Sequence, residues 1–258
     1  MKLKLILLGV LFLSLFPLTG RGQLLDNKAT GTTIQAKDIP FAKLYGTKEW
    51  KTTIEHWVAS HLYTSDSAAS FAEKFAPEAE TALRNSFKDN PRVALLLAID
   101  LISFMEQFGI DPVAEKIAVC ASQLGLKHDT IDRIVTAASL PGRPAPPLKG
   151  VKDLKNTILV FYESGCENCD ALLAELLTNY SILQKKNKKI VSVSADIEES
   201  IFLSHSKKFL WKDKLCDYEG LDGDPFIRYG VTATPTIYVI DEKGMVTGRY
   251  ARLQDVPI

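Results

Sequence analysis

The stretch Thr157–Glu175, TILVFYESGCENCDALLAE, constrains this chain more than any other. An apolar, β-rich run from Ile158 to Tyr162 breaks at Glu163-Ser164-Gly165. The chain then passes through Cys166-Glu167-Asn168-Cys169 into a helical pattern of leucines at 172, 173, 176 and 177. Strand, short turn, C-x-x-C and helix, in that order, are what a dithiol redox centre needs. A thiol at the first turn of a helix meets unpaired backbone N–H groups and the positive end of the helix dipole. Both favour the thiolate, the form that attacks disulfides. A second cysteine three residues on lies one turn away, close enough to form or open a disulfide with the first. The pattern therefore predicts Cys166 as nucleophile and Cys169 as resolving thiol. The dithiol is itself the redox group, so no organic cofactor is implied.

C-x-x-C is also half of a zinc site, and structural zinc takes four ligands. The sequence holds no second C-x-x-C and no close histidine pair; His56, His61, His128 and His205 are scattered over separate segments. The strand–helix setting favours redox chemistry over metal, and no metal ligands are assigned.

A second stretch, Tyr229-Gly230-Val231-Thr232-Ala233-Thr234-Pro235-Thr236, runs directly into a strong β pattern ending at Asp241. Together with the C-x-x-C strand–helix it resembles the thioredoxin superfamily over about residues 142–250. Gly142-Arg143-Pro144-Ala145-Pro146 resembles the entry motif of its bacterial extracytoplasmic branch, typified by TlpA-like and cytochrome-maturation proteins. The resemblance implies an α/β thioredoxin-like domain, a central mixed sheet flanked by helices. It implies Cys166 and Cys169 as the active dithiol, Pro235 as a cis-proline, and Thr234 as the residue offering backbone groups to a substrate chain. The chain departs from the family in several places. Gly165 replaces the usual tryptophan, Glu167-Asn168 the usual proline-containing pair, Ala174 the helix proline and Val160 the buried strand acid. Glu167 and Asn168 thus tune the motif. Negative charge from Glu167 and Asp170 disfavours the thiolate, and Asn168 can offset it with a hydrogen bond to sulfur. The expected direction is reductant rather than oxidant.

The rest of the chain divides around this domain. Residues 1–22 read as a secretory signal, with Lys2 and Lys4, an apolar run from Leu5 to Phe16, and small residues near Gly20 and Gly22. The apolar run is shorter than a membrane span, so no stable anchor is expected after cleavage. Residues 23–140 read as a small all-α domain after an irregular lead-in up to Lys48. Residues 141–150, with four prolines between 141 and 147, read as a linker, and residues 151–258 as the thioredoxin-like domain. Trp211 to Tyr218 resembles the family's inserted edge strand, and no C-terminal helix is expected to cover the sheet. Cys120 reads as a small core residue and Cys216 as structural.

The chain carries 31 basic and 31 acidic side chains, so nothing points to nucleic acid. The expected function is a thiol–disulfide oxidoreductase, periplasmic or otherwise extracytoplasmic, that reduces or rearranges protein disulfides and is recharged by a membrane or periplasmic electron donor. Two alternative functions make different demands on the sequence. A peroxiredoxin-like peroxide reductase needs a proline and a threonine or serine placed before its cysteine, and Phe161 to Gly165 supply no such pattern. A partner-binding envelope protein would use the helical domain, with the thioredoxin-like part as a platform; an intact C-x-x-C and Thr-Pro pair argue against that.

Overall fold

The computed structural model describes residues 33–257, so the expected signal segment lies outside the described residues. The chain forms two compact units, one ending at Asp132 and one beginning at Arg133.

The first unit is helical throughout its described residues: α1 (Phe41–Leu44), α2 (Glu49–Tyr63), α3 (Ala68–Asp89), α4 (Pro91–Gln107) and α5 (Asp111–Gln123). On α2, Trp50, Ile54, Trp57 and Val58 are all buried, the one-sided spacing of an amphipathic helix. The starts of the helices follow capping chemistry. Ser67 accepts from the Ser70 N–H at 3.1 Å to open α3, and Asn90 precedes Pro91 at the start of α4. At α5 the cap is Ile110, and Asp111 lies in the first turn, where its carboxylate suits the helix dipole. The lead-in is less irregular than its sequence suggests. It carries a 3₁₀ turn, Ala36–Asp38, and is pinned by side chains of the helices. Ile34 donates to Ser60 Oγ at 3.0 Å, its carbonyl meets His61 Nε2 at 3.0 Å, and Ala36 donates to Glu78 at 2.9 Å. His61 is thus a fastening, and Cys120 is buried in the core.

Helix α6 (Asp129–Ser139) crosses the unit boundary. The second unit continues with β1 (Thr157–Tyr162), α7 (Glu167–Lys185), β2 (Lys189–Ser194), α8 (Glu199–Ser206), β3 (Asp213–Cys216), α9 (Asp224–Tyr229), β4 (Thr236–Ile240) and β5 (Val246–Tyr250). The sheet order is β3-β2-β1-β4-β5. β1 pairs parallel with β2 and antiparallel with β4, which makes the sheet mixed. A strand covered on both faces reads as continuously apolar, and every residue of β1 is buried. Ile158, Val160 and Tyr162 pack on one face with Cys169, Leu172, Leu173 and Leu176 of α7. Leu159 and Phe161 pack on the other with Phe226, Tyr229 and Tyr238.

The structure refines the reading of three segments. The proline-rich stretch read as a linker is extended and hydrogen-bonded to backbone near β5. Gly142 donates to the Val246 carbonyl at 2.8 Å, Val246 donates to Arg143 at 2.8 Å, and Ala145 donates to Gly244 at 2.9 Å. Prolines at 144, 146 and 147 spoil a helix, but extended backbone still offers carbonyls and the remaining N–H groups to a neighbouring strand. Trp211 lies just ahead of β3 rather than on it, buried, with its indole N–H bonded to Ser192 Oγ at 2.9 Å. After β5 the chain makes a 3₁₀ turn, Leu253–Asp255, and buries Leu253 and Val256 in the cluster that holds α7.

Candidate active site

The dithiol lies where β1 hands the chain to α7. Cys166 is the N-cap of α7, in extended backbone geometry, with its sulfur accepting the Cys169 N–H at 3.3 Å. A cap position directs that sulfur at the orphan N–H groups of the first helical turn. Cys166 is half-buried and Cys169 is wholly buried one turn in. Burial pushes the Cys169 thiol up to about 12, helped by its hydrogen bond with the Cys166 sulfur, while contacts with the Glu163 backbone and the Thr234 side chain pull the other way. All four cysteines are free thiols.

The turn before Cys166 is held from β2. Asp196, buried just past that strand, accepts from the Ser164 N–H at 3.0 Å and from Ser164 Oγ at 2.7 Å. Its own N–H donates to Ser194 Oγ at 3.1 Å, and its carbonyl receives the Cys216 thiol at 3.1 Å. A buried acid, absent at Val160, is thus present just past the neighbouring strand, with both oxygens engaged by the turn. Thr234 and Pro235 lie half-buried ahead of β4, joined by a cis peptide bond, and Thr234 reaches the Cys169 sulfur.

Residues 147–249 match the AhpC/TSA family. That stretch lies within the C-terminal unit, whose fold is thioredoxin-like. Among solved structures, a thioredoxin-like protein from Bacteroides caccae matches 85% of this chain and 86% of its own, at a TM-score of 0.55 and 14% identity. That likeness establishes the fold across both units. A thiol-disulfide oxidoreductase from Bacteroides fragilis matches at 25% identity and a TM-score of 0.34, over 39% of this chain and 77% of its own. A thioredoxin-like protein from Parabacteroides distasonis matches at 17% identity and a TM-score of 0.39, over 45% and 92%. No curated protein matches the chain.

Within the thioredoxin-like unit the structure brings Cys166, Cys169 and Thr234 together. Glu167 and Asn168 are exposed on the first turn of α7, and the hydrogen bond to the Cys166 sulfur comes from the Cys169 backbone. Three groups that the sequence did not assign to the site lie beside it: Ser164 with Asp196, and His205. His205 Nε2 is 2.7 Å from Asp170 Oδ1, with Lys208 Nζ at 4.0 Å from the same oxygen. The Asp170 charge expected to oppose the thiolate is therefore shared with two basic groups. Ser164, Gly165, Ser200, Ile201, Ser204, His205 and Lys208 line a shallow open groove of about 600 Å³ beside the dithiol. Among the described residues no helix is long and apolar enough to cross a membrane, and no cluster of His, Cys, Asp and Glu suits a metal ion.

Proposed function

We propose that the protein is an extracytoplasmic thiol–disulfide oxidoreductase that reduces or rearranges disulfides in other proteins. The observation that carries this reading is the asymmetry of the dithiol. Cys166 caps a helix with its sulfur within reach of solvent, and Cys169 lies buried beneath it. Cys166 attacks a substrate disulfide, forming a mixed disulfide and releasing one substrate thiol. Cys169 then attacks the Cys166 sulfur, releasing the second thiol and leaving the Cys166–Cys169 disulfide. Thr234 and Pro235 border the dithiol and hold the substrate backbone. A membrane or periplasmic donor returns the pair to the dithiol. Exposed Glu167 places a negative charge beside the nucleophile, which favours a reductant. The basic and apolar start of the sequence supports export with removal of residues 1–22.

The test uses two variants and a protein disulfide substrate. Cys166→Ser should abolish reduction, and Cys169→Ser should accumulate a covalent mixed disulfide, because attack survives while resolution does not. Equal residual activity in both variants overturns the division of roles. Protein isolated from its source cell with an intact Met1 overturns export.

A further inference from the structure

We propose that α8 and the loop after β3 form a docking surface for disulfides flanked by apolar residues in extended, incompletely folded chains. The inference rests on the dithiol reading above and names the class of substrate that site takes. One wall of the groove beside the dithiol is Ser164-Gly165, the two residues before Cys166. The other is α8, which contributes Ile201 and the hydroxyls of Ser200 and Ser204. A polypeptide whose disulfide lies against Cys166 therefore has this groove as its neighbouring surface.

The segments that border the groove are apolar where a protein surface is ordinarily polar. Ile197 leaves 71% of its surface in water, and Ile201, four residues on, leaves 45%. Ile197 directly follows Asp196, whose carboxylate holds the Ser164 wall. Its Cγ2 lies against Gly220, 3.4 Å from where a Cβ on that residue would sit, and exposed Leu221 comes next. The buried Phe202 ring meets that of exposed Tyr218 at 6.1 Å, which ties α8 to the same loop. Single exposed apolar residues need no explanation, but four on adjoining segments beside a reactive thiol mark a contact surface. The loop is also fixed. Arg133 Nη2 meets Asp222 at 2.7 Å, Arg133 Nη1 donates to the Leu221 carbonyl, and the Glu219 N–H donates to Asp217 at 3.2 Å. Tyr218 holds φ +64°, which a bulky residue keeps only where its surroundings impose it. A surface fixed in this way needs no ordering when a partner arrives.

The place of this surface identifies its occupant. It adjoins the groove wall next to Cys166, so a permanent partner or a second copy seated on it would stand beside the nucleophile and obstruct every turnover. The macromolecule that has to reach this place in each cycle is the substrate that carries the disulfide. Folded proteins bury most of their large apolar side chains, and chains that have not finished folding leave them open. Such a chain also suits the polar part of the groove. Ser200 and Ser204 lie one turn apart on α8, and their hydroxyls can donate to carbonyls of extended backbone. Ile197 and Ile201 then cover its apolar side chains. Thr234 and Pro235 hold the substrate at the sulfur, and this surface acts on residues away from it. No covalent step is added to the exchange between Cys166, Cys169 and the substrate.

The experiment uses the full-length reduced protein and two peptides of equal length. Each carries a single cysteine in a mixed disulfide with thionitrobenzoate, whose release is followed by absorbance. One peptide has leucines on both sides of the cysteine and the other has serines; glutathione supplies the intrinsic ratio of their reactivities. The protein should favour the leucine peptide about 10- to 100-fold beyond that ratio, the range for taking one or two large apolar side chains out of water. Ile197→Ser combined with Ile201→Ser should bring the preference to within about threefold of glutathione's. A ratio cancels any general loss of dithiol reactivity or of folded protein. A parent without the preference, or a double variant that keeps it, overturns the docking assignment. So does a dimer, seen by sedimentation, that the double substitution dissociates, because the surface is then a contact between copies. If the parent releases no thionitrobenzoate from either peptide, or Cys166→Ser releases it as fast, the dithiol reading itself fails.

Discussion

The burial of Cys169 can be read out as a rate. A thiol pushed up to about 12 is ionised to a fraction of about 10⁻⁵ at pH 7, against about 3% for an unperturbed cysteine near 8.5. Chemistry alone then slows alkylation of Cys169 by about three orders of magnitude. Burial adds a steric barrier, because Cys169 exposes 0% of its surface while Cys166 is half-buried. The perturbation is mild: reduced protein is exposed to iodoacetamide for timed intervals, acid-quenched and digested, and each cysteine peptide is quantified by mass. Initial rates at Cys166 should exceed those at Cys169 by at least about a hundredfold at pH 7. The Cys169 rate should climb about tenfold per pH unit up to the onset of unfolding. Denatured protein supplies the control, in which the two rates converge. Comparable rates at the two cysteines in the folded protein would refute the argument, since neither an elevated thiol nor a buried one could react so fast.

Three further outcomes follow from the geometry. Ser164→Ala leaves an oxygen of buried Asp196 without its hydroxyl donor, at a cost of about 1–3 kcal/mol, and calorimetry should show a Tm lower by several degrees; an unchanged Tm would mean the clamp is not formed. Gly230 has φ +62°, and a Cβ there would lie 2.6 Å from the Ala137 backbone nitrogen and closer still to the Arg133 carbonyl. Gly230→Ala should therefore cost more than the roughly 1 kcal/mol of an ordinary left-handed site, measured by denaturant unfolding. Cys169 and Tyr229 are both raised by burial, so the unfolded chain loses their protons first. The stability they contribute is complete below the ordinary cysteine range and drains away as pH rises from about 9 towards about 12. Cys169→Ala should flatten that alkaline decline in urea titrations, and a slope equal to the parent's would contradict the shift.

The parts of the site that the sequence revealed are those built from adjacent residues. β1, the turn and the start of α7 are one continuous stretch, and their apolar run, glycine break and leucine spacing are local signals. Thr234–Pro235 was legible as a motif and is cis in the structure. The other residues beside it come from elsewhere in the fold. Asp196 reaches Ser164 across 32 positions and His205 reaches Asp170 across 35, both through the parallel β1–β2 crossover. No local pattern announces such contacts. His205 lies on an eight-residue helix with exposed Ile201 and Leu203, and nothing in its own neighbourhood marks it out. Residues 141–147 were legible only in part for a related reason: proline density reports what backbone cannot do alone, and their hydrogen-bond partners lie about a hundred residues onward in β5 and the turn before it.

That pairing bears on how the domain resists association and where it can be cut. β5 is the outermost strand of its sheet, and an open edge recruits other chains. The backbone of residues 142–145 occupies the first part of that edge. With prolines at 144, 146 and 147, the ribbon has few N–H groups left on its outer side to offer a further strand. It acts as a terminator, accepting the sheet's last bonds without propagating them. Leu140 and Leu148, at either end of it, are buried beside β1 and β4. A fragment begun at residue 151 discards this edging and opens part of the core, and is the form expected to self-associate. One begun at Arg133 retains the ribbon, both leucines and the α6 backbone against which Gly230 packs.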